Sequence, residues 1–208
     1  MRVLILSDSL TLPRNSEGDQ ILEYKDTWPQ VLKRKHPEWE FVSIGVGSAT
    51  TEDILYQTQY WSGFNPDYCI VQIGLCDALP RALHKWEVEL LKKLPFKKIQ
   101  LKIIRRLTPL LRRYRGIALT SEADFRDNIK KIKDIMGGVL FLSIFDDGKS
   151  PSHIPLAHEK VRIFDSLLKA TVGADYIDIK SLPPTGIMPD HYHLNTEGHR
   201  YVAEIVDE

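Results

Sequence analysis

The sequence predicts an α/β protein built on a five-stranded parallel sheet with helices on both faces. Three observations predict it. Short apolar runs recur at residues 2–6, 40–44, 67–73, 139–144 and 174–179. Segments with helical spacing lie between them, so consecutive strands need crossover connections rather than hairpins. The runs are apolar throughout instead of alternating with polar residues, as strands buried on both faces should be.

The first run, Arg2-Val-Leu-Ile-Leu6, ends at Ser7-Asp8-Ser9. A helix is expected over 20–35, with Ile21, Leu22, Trp28, Val31 and Leu32 as core positions. The second strand, Glu40-Phe-Val-Ser-Ile44, ends at Gly45. Residues 50–60 read as a helix that Thr50 can cap, with Asp53 in its acidic first turn. The third strand, 67–73, ends at Gly74. Ser121 opens a helix over 121–136, and Gly137-Gly138 stops it before the fourth strand. A helix over 155–170 leads to the fifth strand, and Asn195 caps a closing helix over 196–206.

A chain of 208 residues suffices for one domain with a sizeable core and falls short of two. Lys and Arg number 28 and Asp and Glu 28, so no global field points to nucleic acid. Cys69 and Cys76 fall in or just after a predicted core strand, which argues against a disulfide framework and for a reducing compartment. The run at 3–6 is too short for a signal-peptide core, and no stretch approaches the roughly 18 apolar residues that span a bilayer. A cytoplasmic location is therefore expected.

Residues 83–115 break the alternation. They carry eleven Lys and Arg against Glu87 and Glu89, while Leu and Ile recur at near-helical spacing interrupted by Pro95 and Pro109. The plain reading is a helical insertion with a solvated basic face. The functional reading is a lid or contact surface for an anionic substrate, a membrane surface or another protein.

Open parallel sheets bind ligands beyond the carboxyl ends of their strands. Four segments with reactive or donor groups fall there: Ser9, Gly45-Val-Gly-Ser48, Gly74-Leu-Cys-Asp77 and Asp190-His-Tyr-His193. A serine hydroxyl needs a base within hydrogen-bond reach, and the base needs a group that fixes its tautomer. Asp190 and His193, three residues apart, can meet on one turn. If the fifth strand lies three places from the first, a gap of about 14 Å must be crossed. The ten-residue loop 180–189 can extend to roughly 33 Å, ample for that.

These blocks carry a resemblance. Ser7-Asp8-Ser9-Leu10 resembles the opening GDSL block of the SGNH hydrolases, and Gly45-Val-Gly-Ser48 with the residues to Leu55 resembles their glycine block. Gly74-Leu-Cys-Asp77 stands where that family carries GxND. Asp190-His-Tyr-His-Leu-Asn-Thr-Glu-Gly-His199 is similar to its closing DxxH block. The order is the family's, and the likeness covers nearly the whole chain outside 83–115. It implies a flavodoxin-like three-layer α/β/α fold and an esterase or acylhydrolase with Ser9, His193 and Asp190 as its triad. It also implies an oxyanion hole built from the N–H of Ser9, an N–H at Ser48 or Gly47, and the side chain at Cys76. No cofactor is implied. More narrowly, Leu12-Pro-Arg14, Asp26-Thr-Trp-Pro29 and Asp77-Ala-Leu-Pro-Arg81 are similar to a subgroup associated with bacterial surface-polysaccharide genes, which suggests a saccharide ester as substrate.

Two departures stand out. Ser7 replaces a glycine, and Cys76 replaces the Asn that donates to the oxyanion in the family. A thiol is a weak donor, and losing one oxyanion donor costs about 10²–10³ in rate. Asn65, Asn195 and Arg81 are the candidate substitutes. Cys76 as a nucleophile is the sharper alternative to an inert buried thiol. Arg14, Tyr24 and Arg81 fall near the expected site, to bind a polar or anionic substrate or simply to hold the loops together. Asp146-Asp-Gly-Lys-Ser150 lacks the early glycine of a phosphate-binding loop. His191 and His193 lack a metal-site spacing, so no metal is expected. His153 and His158 read as surface residues near a helix start. Three functions stay open: an ester hydrolase, an O-acyltransferase, and a retired domain of this type that binds a saccharide or a protein.

Overall fold

The computed structural model describes residues 1–15, 21–93, 97–149, 151 and 154–208, with the backbone alone of 85, 92, 97–103 and 105. Gln20, Ser150 and His153 lie outside the described residues, as do Leu94 and Pro95 of the basic stretch.

Among the described residues, seven strands form two sheets. Strand β1 (Arg2–Ser7) is followed by β2 (Arg14–Asn15) and β3 (Ile21–Leu22), which pair with each other in a small antiparallel ladder. Strands β4 (Glu40–Gly45), β5 (Tyr68–Gln72), β6 (Val139–Leu142) and β7 (Tyr176–Ile177) join β1 in a sheet of order β4-β1-β5-β6-β7. Every pairing in that sheet is parallel. This is the flavodoxin-like doubly wound order, and it puts the fifth strand of the sheet three places from the first, as the loop-reach argument requires.

Alternation along β1 explains the three layers. Leu4 and Leu6 face one side, with Ile54 of α2 (Thr51–Trp61), Phe125 and Ile129 of α6 (Glu122–Met136), and Phe164 of α7 (Ala157–Val172). Val3 and Ile5 face the other, with Trp28 and Leu32 of α1 (Trp28–Lys35) and Val202 of α8 (Thr196–Asp207). The helix caps are those the sequence indicates. The Asp53 carboxylate accepts from both the N–H and the hydroxyl of Thr50. Ser121 accepts from the Asp124 N–H, and Asn195 from the N–H groups of Glu197 and Gly198.

Two expectations need correction. The helix expected over 20–35 begins only at Trp28, because Ile21–Leu22 pairs with Arg14–Asn15 and Tyr24–Asp26 forms a 3-10 turn. Pro29 fits the first turn of a helix and so marks the true start. The fifth strand shrinks from 174–179 to two residues, because Gly173–Asp175 winds into a 3-10 turn and the Ile179 N–H turns to the Ser143 hydroxyl.

The basic stretch is helical: α4 (Lys85–Lys93) and α5 (Lys97–Arg115) follow α3 (Leu75–Ala78). Helix α5 continues through Pro109 rather than breaking there, with the Thr108 hydroxyl donating to the Ile104 carbonyl beside it. Arg115 ties the two helices together by a bidentate bond to Glu87. Among the described residues no helix is long and apolar enough to cross a membrane.

Candidate active site

Ser9 opens a 3-10 turn, Ser9–Thr11, directly after β1. The Asp8 carboxylate caps that turn by accepting the Leu10 N–H at 2.9 Å. Asp8 itself is fully buried, and its second oxygen has no hydrogen-bond partner. Burial therefore pushes its pKa up to about 7, with the charge of Asp77 adding to the rise.

The loop after β7 brings Asp190 and His193 to Ser9. Ser9 Oγ lies 3.0 Å from His193 Nε2, and His193 Nδ1 lies 2.6 Å from Asp190 Oδ2. The other Asp190 oxygen accepts the N–H groups of Tyr192 and His193, each at 3.0 Å. Burial alone would raise the Asp190 pKa. The bonds from the His193 ring, the His193 N–H and the Tyr192 N–H overcome it and hold the carboxyl well below its usual range. The carboxylate thus stays charged and fixes the ring.

Close backbone contact holds this loop. A Cβ on Gly198 would sit 2.1 Å from the Gly186 carbonyl oxygen, so the N-terminus of α8 seats directly on the loop only because neither residue has a side chain. The Met188 N–H donates to the His193 carbonyl, and His191 Nδ1 meets Asp147 Oδ2 at 2.6 Å. His191 adopts a left-handed conformation (φ 68°) between the two triad positions.

Beside Ser9 and His193 opens a cleft of about 500 Å³. Gly47, Ser48, Cys76, Arg14, Arg81 and Tyr192 line it. All three positions singled out for an oxyanion hole beyond Ser9 therefore meet at one cleft. Cys76 is buried and burial pushes its thiol up to about 12, so it is a neutral thiol rather than a nucleophilic thiolate. Of the three substitute donors, Asn195 is engaged in capping α8, and Asn65 follows the 3-10 turn Ser62–Phe64 ahead of β5, at the opposite edge of the sheet. Arg81 alone lines the cleft. Tyr24 is not among the lining residues; its hydroxyl accepts from the Gln30 side chain.

Asp77, the last residue of the third block, has a different task. Its carboxylate accepts the N–H and hydroxyl of Thr51 and so pins the start of α2 beside α3. Gly74, which precedes α3, has φ +115°, and a Cβ there would meet Ile144 Cδ1 at 2.5 Å.

Sequence reasoning missed the layer behind Ser9. The Trp28 indole donates to Gln72 Oε1 at 2.7 Å, the Trp28 N–H donates to His199 Nδ1 at 3.0 Å, and the Gln72 carbonyl accepts the Asp8 N–H. A polar Gln72 ending an apolar strand was the available signal. His158 pairs with Asp146, and among the described residues no three His, Cys, Asp or Glu side chains converge as a metal site would.

No family profile matches this sequence, and no characterised protein matches it by sequence alone. Comparison of folds does find relatives. A lipase/acylhydrolase from Enterococcus faecalis aligns over 99% of this chain and 93% of its own, at 16% identity and TM-score 0.66. A lipolytic protein of the G-D-S-L family from Veillonella parvula aligns over 99% and 95%, at 13% identity and TM-score 0.61. The fold is that of the GDSL, or SGNH, hydrolases. A carbohydrate acetylesterase family member from Sinorhizobium meliloti also shares the GDSL fold, over 100% of this chain and 96% of its own, at 13% identity and TM-score 0.67.

Proposed function

We propose that the protein is a serine ester hydrolase acting on O-acyl groups, with a saccharide as the alcohol part of the ester. The observation that carries this reading is the hydrogen-bonded chain Ser9–His193–Asp190 at the mouth of a cleft, at the carboxyl edge of a GDSL-fold sheet. His193 Nε2 takes the Ser9 proton as Oγ attacks the ester carbonyl, while Asp190 stabilises the imidazolium that forms. The proton then passes to the departing alkoxide, and the acyl group stays on Ser9. Water, deprotonated by the same ring, releases it as the acid. An alcohol in place of that water would make the enzyme an acyltransferase by the same steps. The N–H groups of Ser9 and of Gly47 or Ser48 serve the oxyanion, with Cys76 in the third position. The saccharide assignment draws on the likeness to the carbohydrate acetylesterase family member.

Cys76 is the specific observation behind a second reading, a domain of this fold that has stopped catalysing and binds its ligand unchanged. A serine-directed fluorophosphonate probe separates the two. Labelling of the wild type and its loss in a folded Ser9→Ala protein are expected. Absence of labelling together with no turnover of acetyl, butyryl and longer aryl esters would leave the binding domain.

A further inference from the structure

Arg14 and Arg81 come from separate parts of the chain, and each is pinned by backbone pairing. Arg14 pairs with Leu22 in the β2–β3 ladder, and the Arg81 N–H donates to the Ile117 carbonyl at 2.7 Å. Both line the cleft that holds Ser9 and His193, and among the described residues no Asp or Glu lines it with them. Among the described residues neither guanidinium has a carboxylate within ion-pair distance, and Arg81 Nε is buried with no hydrogen-bond partner. The carboxylate felt by Arg14 is Asp8, which is enclosed beneath the cleft and held by the Leu10 N–H. The charge of Arg81 is also felt by Arg112 of α5, whose pKa burial and then Arg81 push down. Two guanidiniums that share a cleft with no counter-charge among its described lining residues repel each other, and an anion entering the cleft relieves that repulsion. The guanidinium fork matches the oxygens of carboxylates and phosphates.

We propose that this cleft binds an anionic group of the substrate, a carboxylate or phosphate, through Arg14 and Arg81, so that the ester taken is an acidic one. The inference rests on the esterase reading for its turnover and stands apart from it for its binding. Isosteric pairs of esters test the first part. The anion sits on the alcohol side in para-acetoxybenzoate against para-acetoxybenzamide, and on the acyl side in mono-para-nitrophenyl succinate against para-nitrophenyl butyrate. The aryl phosphate para-acetoxyphenyl phosphate distinguishes phosphate from carboxylate. At least one anionic member should be preferred about tenfold or more in kcat/KM, and the preference should shrink with added salt. Arg14→Gln and Arg81→Gln should each lower the anionic-to-neutral ratio by about tenfold. If no anionic probe is preferred, or if Arg81→Gln slows both members of each pair equally, the proposal is overturned. The second result would make Arg81 an oxyanion donor instead.

Binding of para-hydroxybenzoate and of inorganic phosphate, measured by calorimetry on the Ser9→Ala protein, tests the site without turnover. Binding that is lost in Ser9→Ala/Arg81→Gln, with the melting temperature retained, supports the anion site even if no ester is hydrolysed. Absence of binding by either probe, together with equal turnover of each pair, overturns it while leaving the esterase intact.

Discussion

Lowering the pH from 7.5 to 5 sets two buried groups beneath the active site against each other. His199 is 1% exposed, and burial, reinforced by the charge of His193, pushes its pKa down from 6.5 to about 3. Its folded pKa lies below its unfolded one, so the neutral ring contributes stability above pH 6.5. That contribution is lost as the pH falls through 6.5 towards 3. At about 1.4 kcal/mol per pH unit, the loss between pH 7.5 and 5 is about 2 kcal/mol. Asp8 runs the other way. Its folded pKa of about 7 lies above the ordinary 3.8, so the buried carboxylate costs stability at pH 7.5. That cost is relieved as the pH falls through 7 towards 3.8, by about 2–3 kcal/mol over the same interval.

The two effects nearly cancel in the wild type, so single variants are needed to reveal them. His199→Asn keeps an oxygen near the Nδ1 position, able to accept the Trp28 N–H, and removes the titration. Its urea-unfolding free energy should rise by about 2–3 kcal/mol, relative to its own value at pH 7.5, on going to pH 5. Asp8→Asn should instead lose about 2 kcal/mol over that interval. Groups that titrate in all three proteins drop out of the comparison. If both variants track the wild-type pH dependence to within about 0.5 kcal/mol, the coupling of these two sites to folding is refuted.

Three further outcomes can be checked directly. Cys76→Asn places a true amide donor at the cleft and should raise kcat on aryl acetates by about tenfold or more; an unchanged kcat in a folded protein would mean the oxyanion is held another way. Gly74→Ala must accept φ +115° and a 2.5 Å contact with Ile144, and should lower the unfolding free energy by about 3 kcal/mol, while a loss under about 1 kcal/mol would show that the turn yields. The segment 83–115 has a net charge of +9 and exposes Trp86, Leu110 and Tyr114, so co-sedimentation with phosphatidylglycerol vesicles should exceed that with phosphatidylcholine and fall with salt. Equal pelleting with both lipids would remove the membrane reading of that segment.

The five parallel strands were legible because they are short, mostly apolar runs separated by helical segments, several with readable caps, as Thr50 with Asp53, Ser121 with Asp124 and Asn195 with Gly198 show, whereas the strand order came only through the resemblance. Those signals are local. The segment 20–35 misled for the same reason. Ile21 and Leu22 have helical spacing relative to Trp28, but the decisive partner of Leu22 is Arg14, which periodicity cannot report. The convergence of Ser9, His193 and Asp190 was legible only through resemblance, since a serine after a first strand is ordinary and the approach of His193 depends on strand order and on the contact between Gly186 and Gly198.

The layer behind Ser9 was illegible for a deeper reason. Trp28 reads as a core residue, Gln72 as part of an apolar strand and His199 as part of the closing DxxH block, and none of these readings joins it to the other two. Buried polar groups must find partners, and these three find one another across α1, β5 and α8. The cost of burying any one depends on the other two being in place. The Gln72 carbonyl holds the Asp8 N–H, so the network ends on the residue that precedes Ser9. His199 and Asp8, both perturbed first by burial, therefore stand at the two ends of one hydrogen-bonded chain. The pH dependence of folding reports on the same atoms that fix Ser9.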